Sequence, residues 1–263
     1  MIEWNASPEL IRIGFLSIRW YSLCFAAAFF FMFFIMRRMF RSEGVPEGYL
    51  DDLFLYMFLG VIIGARLGHV LFYDPGFYFE HPLEILKVWR GGLASHGAAL
   101  GILVALVIYV RRHPDLTFRW TLDRLAVVAP LGAAFVRIGN LFNSEIYGKP
   151  AGVPWAFVYN KIDLIPRHPT QLYEALSYLI LFAVMIFAYR SRRIREEGGF
   201  LLGIMMTGLF ASRFVIEFFK EVQVAFEKGL LINMGQILSI PFMLFGIYLL
   251  VRSIKNTRGE QKG

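Results

Sequence analysis

Seven apolar runs fall near residues 18–36, 52–73, 93–110, 122–139, 170–189, 199–219 and 233–251. Each approaches or exceeds the roughly 20 helical residues that cross a hydrocarbon core about 30 Å thick. The pattern predicts an all-α, polytopic integral membrane protein with seven transmembrane helices. Residues 1–17 carry no basic cluster, and the run from Ile18 to Met36 is too long for the apolar part of a signal peptide, so the first span is expected to be retained. The longest connection, 140–169, is rich in Gly and Pro, with Pro150, Gly152 and Pro154 restricting its turns. One transmembrane domain, 1–263, is expected, with loop 140–169 folded against the bundle.

Orientation follows from the basic residues between the spans. Segments 37–51, 111–121, 190–198 and 252–263 hold 14 Lys and Arg in 47 residues, whereas 1–17, 74–92, 140–169 and 220–232 hold 8 in 79. The first set is expected in the cytoplasm. The N-terminus then lies outside and the C-terminus inside.

Composition narrows the class further. At 57% hydrophobic, 17% aromatic and 18% charged, the chain is poorer in charge than a soluble domain, which carries about 25%. The net charge of +7 is dispersed in short clusters between apolar runs, so no nucleic acid is expected as a partner. The single cysteine, Cys24, lies within an apolar run and reads as a core-filling residue. Neither a disulfide framework nor a Cys/His metal site is expected, and HExxH, Walker A and dinucleotide fingerprints are absent, so neither metal nor cofactor is expected.

Five basic residues fall within the predicted spans: Arg19, Arg66, Arg124, Arg137 and Arg213. An arginine at the centre of a membrane helix costs roughly 2.5–3.5 kcal/mol on insertion scales. Arg19 and Arg124 lie at span ends, where their side chains reach headgroups. The other three have polar company at helical spacing: His69 three residues after Arg66, Asn140 three after Arg137, Glu217 four after Arg213. With the alternating topology, these residues lie toward the outer ends of their spans, together with Tyr21, His96, Gln171 and Glu174. Such one-sided polarity suits a site open to the outer leaflet better than an ion path, which needs polar groups through the full thickness.

Arginines facing a buried cavity suit a phosphate, because guanidinium is planar, permanently charged and bidentate. Glu217 and Glu145 are candidates to orient Arg137 and Arg213, while Asn140, Asn143 and Gln171 supply neutral donors and acceptors. His96, beside Gly91, Gly92 and Gly97, is the candidate general base, since imidazole titrates near neutrality; its bland alternative is a helix cap. His69 reads more simply as a structural histidine. No GxSxG elbow or other nucleophile pairing is present, so the nucleophile is expected to arrive on the substrate.

The run Arg137-Ile138-Gly139-Asn140-Leu141-Phe142-Asn143-Ser144-Glu145-Ile146-Tyr147-Gly148 resembles the signature of the prolipoprotein diacylglyceryl transferases, an Arg-x-x-Asn-x-x-Asn-x-Glu-x-x-Gly frame. Arg19-Trp20-Tyr21, Gly64-Ala65-Arg66-Leu67-Gly68, Trp89-Arg90-Gly91-Gly92 through His96-Gly97, His168-Pro169-Thr170-Gln171-Leu172-Tyr173-Glu174, and Arg213-Phe214 with Glu217-Phe218-Phe219 agree with the same family, in order, over about residues 18–250. Val136 and Leu141 depart from its usual pattern, but both are apolar and bear on packing. The resemblance implies a single transmembrane catalytic domain in the bacterial inner (cytoplasmic) membrane, with its active site toward the outer leaflet. Its substrates are phosphatidylglycerol from the lipid bilayer and the lipobox cysteine behind a prolipoprotein signal peptide. The diacylglyceryl group passes to that thiol as a thioether, and glycerol 1-phosphate leaves.

On that resemblance the catalytic set is His96, Arg137, Arg213 and Glu145. The substrate-binding set is Tyr21, Arg66, Asn140, Asn143, Gly148, Gln171 and Glu217, with Arg66 either a supporting charge or part of the lipid's access route. Two alternatives belong to other classes. A membrane transporter would carry polar residues down to the cytoplasmic side, and a non-catalytic lipid-binding protein would form no transfer product.

Overall fold

The computed structural model describes residues 1–14, 16–88, 91–221 and 232–260. Trp89 and Arg90, part of the stretch carrying the family resemblance, lie outside the described residues, as does most of the predicted connection 220–232. In chain order the elements are β1 (Ile2–Trp4), β2 (Glu9–Ile13), β3 (Leu16–Arg19), α1 (Trp20–Ser42), α2 (Glu47–Phe72), α3 (Pro75–Glu80), α4 (Ser95–Arg112), α5 (Phe118–Phe142), β4 (Phe157–Tyr159), β5 (Pro166–Arg167), α6 (Thr170–Arg190), α7 (Arg192–Glu196), α8 (Phe200–Ile216) and α9 (Met234–Glu260). Turns of 3-10 helix cover Pro82–Leu86 and Glu217–Phe219.

Every predicted span is a helix, and the ends differ for a physical reason. α1 runs past Arg37, Arg38 and Arg41 to Ser42, because arginine is a good helix former. Arg37 and Arg41 also share Glu47, at 2.9 and 2.5 Å. Hydropathy stops at the first charge; backbone hydrogen bonding does not. Among the described residues six helices are long and apolar enough to cross a membrane: Trp20–Ser42, Glu47–Phe72, Phe118–Phe142, Thr170–Arg190, Phe200–Phe219 and Met234–Lys255. The chain is thus a mostly helical, multi-pass membrane protein. Large apolar side chains such as Phe30, Leu59, Leu100, Phe187 and Leu244 are exposed on the helices, as a surface solvated by lipid requires. The predicted third span is α4, whose 18 residues close on Arg111 and Arg112 and which is not one of those six.

The chain divides into two compact units, Met1–Ile35 with Leu122–Gly263, and Met36–Thr121. In the first, the chain start and the segment between α5 and α6 form a small sheet that the apolar pattern did not reveal. β1 pairs in parallel with β4, Ile2 opposite Phe157 and Trp4 opposite Tyr159, and β4 pairs antiparallel with β5. Leu141, Phe157 and Tyr159 make a buried cluster packed by Trp4, Tyr147 and Leu172, and the Trp4 indole donates to the Leu141 carbonyl at 3.0 Å. Arg167 clips the segment from the other side. It lies 2.6 Å from Asp163, 2.8 Å from Glu221 and over the Tyr147 ring at 5.0 Å. The guanidinium holds the Asp163 carboxyl below the usual carboxylate range. The clip is therefore complete above that range and is lost as pH falls through the lowered value.

In the second unit α2 and α4 meet at glycines. Gly60, Gly64 and Gly68 of α2 face Gly97 and Gly101 of α4 so closely that a Cβ on Gly60 would stand 2.7 Å from the Gly101 carbonyl oxygen, and one on Gly68 2.7 Å from the Gly97 Cα. Lipid gives apolar helices no hydrophobic reason to associate, so close backbone packing must supply the attraction. We expect Gly101→Val to force the helices apart and to cost roughly 1–3 kcal/mol, seen as a lower unfolding temperature in detergent. An unchanged unfolding temperature would contradict this packing.

Candidate active site

α5 ends in the turn that carries the Arg137–Gly148 frame. Asn143, Ser144 and Glu145 donate their backbone N–H groups to the carbonyls of Gly139, Leu141 and Asn140, closing the helix. Ser144 and Ile146, on either side of Glu145, hold positive φ of 53° and 57°. Left-handed backbone is uncommon for residues other than glycine and is tolerated only where the surroundings over-determine it. Here the Glu145 carboxylate accepts the amides of Asn140 at 2.7 Å and Asn143 at 3.1 Å. Gln171, fully buried, donates to the Glu145 carbonyl at 2.8 Å and accepts the Tyr159 hydroxyl at 2.9 Å; burial pushes the Tyr159 phenol up. Tyr21 lies on Gly139, where a Cβ would stand 2.8 Å from its ring. Gly148 is wedged between His168 and Phe219, with 2.6 Å from an added Cβ to either carbonyl oxygen.

Behind this turn runs a chain of alternating charges. Arg137 donates to Asn140 Oδ1 at 3.3 Å, and its Nε lies 2.9 Å from Glu174 Oε2. Lys220 Nζ donates to Glu174 Oε1 at 3.0 Å and to Glu217 Oε2 at 2.9 Å. Tyr178 donates a further hydrogen bond to Glu174 at 3.3 Å. Glu174 is 0% and Lys220 4% exposed, a burial that ions tolerate only when paired and hydrogen-bonded. Two cations and two carboxylates neutralise one another. Arg213, half-buried and close enough to the Tyr178 hydroxyl to interact with it electrostatically, makes no hydrogen bond or ion pair among the described residues. The Asn143 Oδ1, also buried, accepts no hydrogen bond there. An uncompensated guanidinium and an open amide acceptor are what a phosphate with a hydroxylated headgroup would need.

The second unit holds Arg66, His69 and His96. Arg66 is 4% exposed and donates to the carbonyls of Ile85 (2.8 Å), Gly91 (2.7 Å), Gly92 (3.1 Å) and Glu84 (2.5 Å), with its guanidinium 4.9 Å from the Tyr78 ring centroid. Its donors are committed to backbone. Tyr73 stacks on both histidines, 5.3 Å from His69 and 5.9 Å from His96. His96 is exposed at the start of α4, touches Phe72 edge to face, and makes no hydrogen bond among the described residues. Among the described residues its imidazole nitrogens are open to an incoming group.

A family model described as prolipoprotein diacylglyceryl transferase matches residues 8–252. The chain belongs to this family. Its relatives include the phosphatidylglycerol–prolipoprotein diacylglyceryl transferases of Tolumonas auensis, 46% identical over 97% of this chain and 98% of the relative, and of Chloroherpeton thalassium, 45% identical over 99% and 97%. That of Bacteroides fragilis is 45% identical over 94% and 93%.

Several transferase-frame residues have partners other than those expected. Glu145 and Glu217 were expected to orient the arginines; Glu145 instead accepts two asparagine amides, Glu217 takes Lys220, and Arg137 takes Glu174. In the sequence Lys220 stands as one charge of the loop after span 6, and Glu174 as one polar residue of span 5. The signal for Lys220 was its place three residues after Glu217, a spacing that lets side chains meet. We expect Lys220→Met to leave the buried Glu174 and the half-buried Glu217 short of a cation and to cost roughly 3–5 kcal/mol by chemical unfolding in detergent, with Lys220→Arg milder. A Lys220→Met protein as stable as its parent would refute this pairing.

Proposed function

We propose that this protein transfers the diacylglyceryl group of phosphatidylglycerol to the thiol of the lipobox cysteine of a prolipoprotein, forming a thioether and releasing glycerol 1-phosphate, the first step of bacterial lipoprotein maturation. The observation that carries the reading is Arg213, a guanidinium with no hydrogen bond or ion pair among the described residues, beside a charge chain whose two cations and two carboxylates pair with one another. The names of the relatives support the same substrates.

In the proposed step the thiol sulfur attacks the glyceryl carbon that carries the phosphate. The C–S bond forms, the C–O bond breaks, and its electron pair leaves on the glycerol phosphate oxygen. The thiol proton passes to a base, and the step balances without a cofactor. Arg213 binds the phosphate and stabilises its growing charge, with Arg137 held ready by Glu174. Asn143 Oδ1 accepts from a glycerol hydroxyl, Asn140 and Glu145 fix that amide, and Tyr21, Gly148 and Gln171 shape the surrounding turn. Glu217 acts through Lys220. An ordinary thiol, with a pKa near 8.5, is mostly protonated at neutral pH, and we assign its deprotonation to His96. Arg66 holds the carbonyls of Glu84, Ile85, Gly91 and Gly92 ahead of α4. The proposal takes α4 as a seventh span. The N-terminus is then outside, the C-terminus cytoplasmic, and the single catalytic domain lies in the bacterial inner membrane with its site toward the outer leaflet.

Purified protein incubated with phosphatidylglycerol and a lipobox peptide is expected to yield a diacylglyceryl thioether by mass, with one glycerol phosphate released per peptide. Arg213→Gln should lower kcat/KM roughly 10²-fold or more, and His96→Gln by about 10²–10⁴. Near-normal transfer by His96→Gln at neutral pH would remove the base assignment, and no thioether from the parent protein would remove the function.

A further inference from the structure

Glu217 is fixed by more than Lys220. Its carboxylate lies against the first turn of α9, where a Cβ built on Gly235 would stand 2.5 Å from the Glu217 Cδ, 2.6 Å from Oε1 and 2.8 Å from Oε2. That turn is itself tied to the end of α8. The Asn233 amide donates to the Glu217 carbonyl at 3.4 Å and the Gln236 amide to the Phe214 carbonyl at 3.3 Å. Asn233 and Gln236 also cap each other, each side-chain oxygen accepting the other's backbone N–H at 3.0–3.1 Å. The carboxylate thus occupies the volume that any side chain at position 235 would take, beside the N-terminus of a helix whose dipole favours an anion.

We infer that Gly235 is a positioning residue for the transfer. By lacking a side chain it keeps the Glu217 carboxylate where it holds Lys220, and through Lys220 it holds Glu174 and Arg137. Gly235 carries no positive φ that would require glycine, and glycine inside a helix is less favourable than alanine. Backbone conformation therefore does not explain the residue; the carboxylate does. The group that a Cβ at 235 displaces is the far end of a flexible side chain, so the fold survives its movement while the carboxylate shifts by about an ångström.

This inference rests on the reading that Arg213, with Arg137 beside it, binds the phosphatidylglycerol phosphate. The test compares four purified variants in the thioether assay, with unfolding temperature measured alongside: Gly235→Ala, Glu217→Asp, the double variant, and Arg213→Gln. Gly235→Ala is expected to unfold at or above the parent temperature while transfer falls by about 10²-fold, the cost of an ångström-scale misplacement. Aspartate is shorter by one methylene, so the double variant is expected to transfer faster than Gly235→Ala alone. Parent-level transfer by Gly235→Ala, loss of its fold, or a double variant no better than the single would each overturn the inference. Full activity of Arg213→Gln would instead overturn the headgroup assignment beneath it, so the two failures are distinguishable.

Discussion

A carboxylate with no exposure can remain ionised only beside a cation, and Glu174 has two. Arg137 reaches it from the end of α5 and Lys220 from just beyond α8, while Glu217 closes the chain against α9. Removing one member of such a set leaves a buried charge uncompensated, which costs more than the intact pair contributes. The ends of four helices are therefore constrained together. The turn after α5, with its two left-handed residues, and the small sheet of β1, β4 and β5 build outward from them.

The same economy of charge makes a site. Within the first unit the charge chain pairs internally, the Arg167 clip satisfies Asp163 and Glu221, and Arg213 has no partner among the described residues. A permanently charged side chain in a polarity-poor setting attracts an anion of matching geometry. A membrane enzyme whose substrate is a phosphodiester lipid is surrounded by such anions, and in the proposed site specificity falls to neutral groups such as the Asn143 amide. In the second unit the equivalent burial is resolved differently, with the Arg66 guanidinium bound to four carbonyls of its own chain.

That contrast shows how far the sequence could be read. Arg66 and Arg213 look alike in it, each an arginine within an apolar run with a polar residue one turn away, yet the first gives four hydrogen bonds to backbone carbonyls and the second has no partner among the described residues. Hydrogen-bond accounting depends on loops whose path hydropathy does not encode. The helices were legible because lipid imposes a long apolar period on them. Their ends were less so, since α1 continues through charged residues that suit helix as well as water. Strands of two or three residues whose partners lie some 150 positions away, such as Ile2 with Phe157, leave no local pattern. The Arg137–Gly148 frame was visible as spacing, but Glu174 and Lys220 join it only through three-dimensional pairing.

Recognition of the lipid phosphate by Arg213, which has no partner among the described residues, is measured most directly as lipid retention by native mass spectrometry. Parent protein and Arg213→Gln would each be equilibrated in detergent with equal phosphatidylglycerol and diacylglycerol. The account predicts that the parent retains phosphatidylglycerol in preference to diacylglycerol and that Arg213→Gln loses this preference. Equal retention of phosphatidylglycerol by both proteins would contradict it.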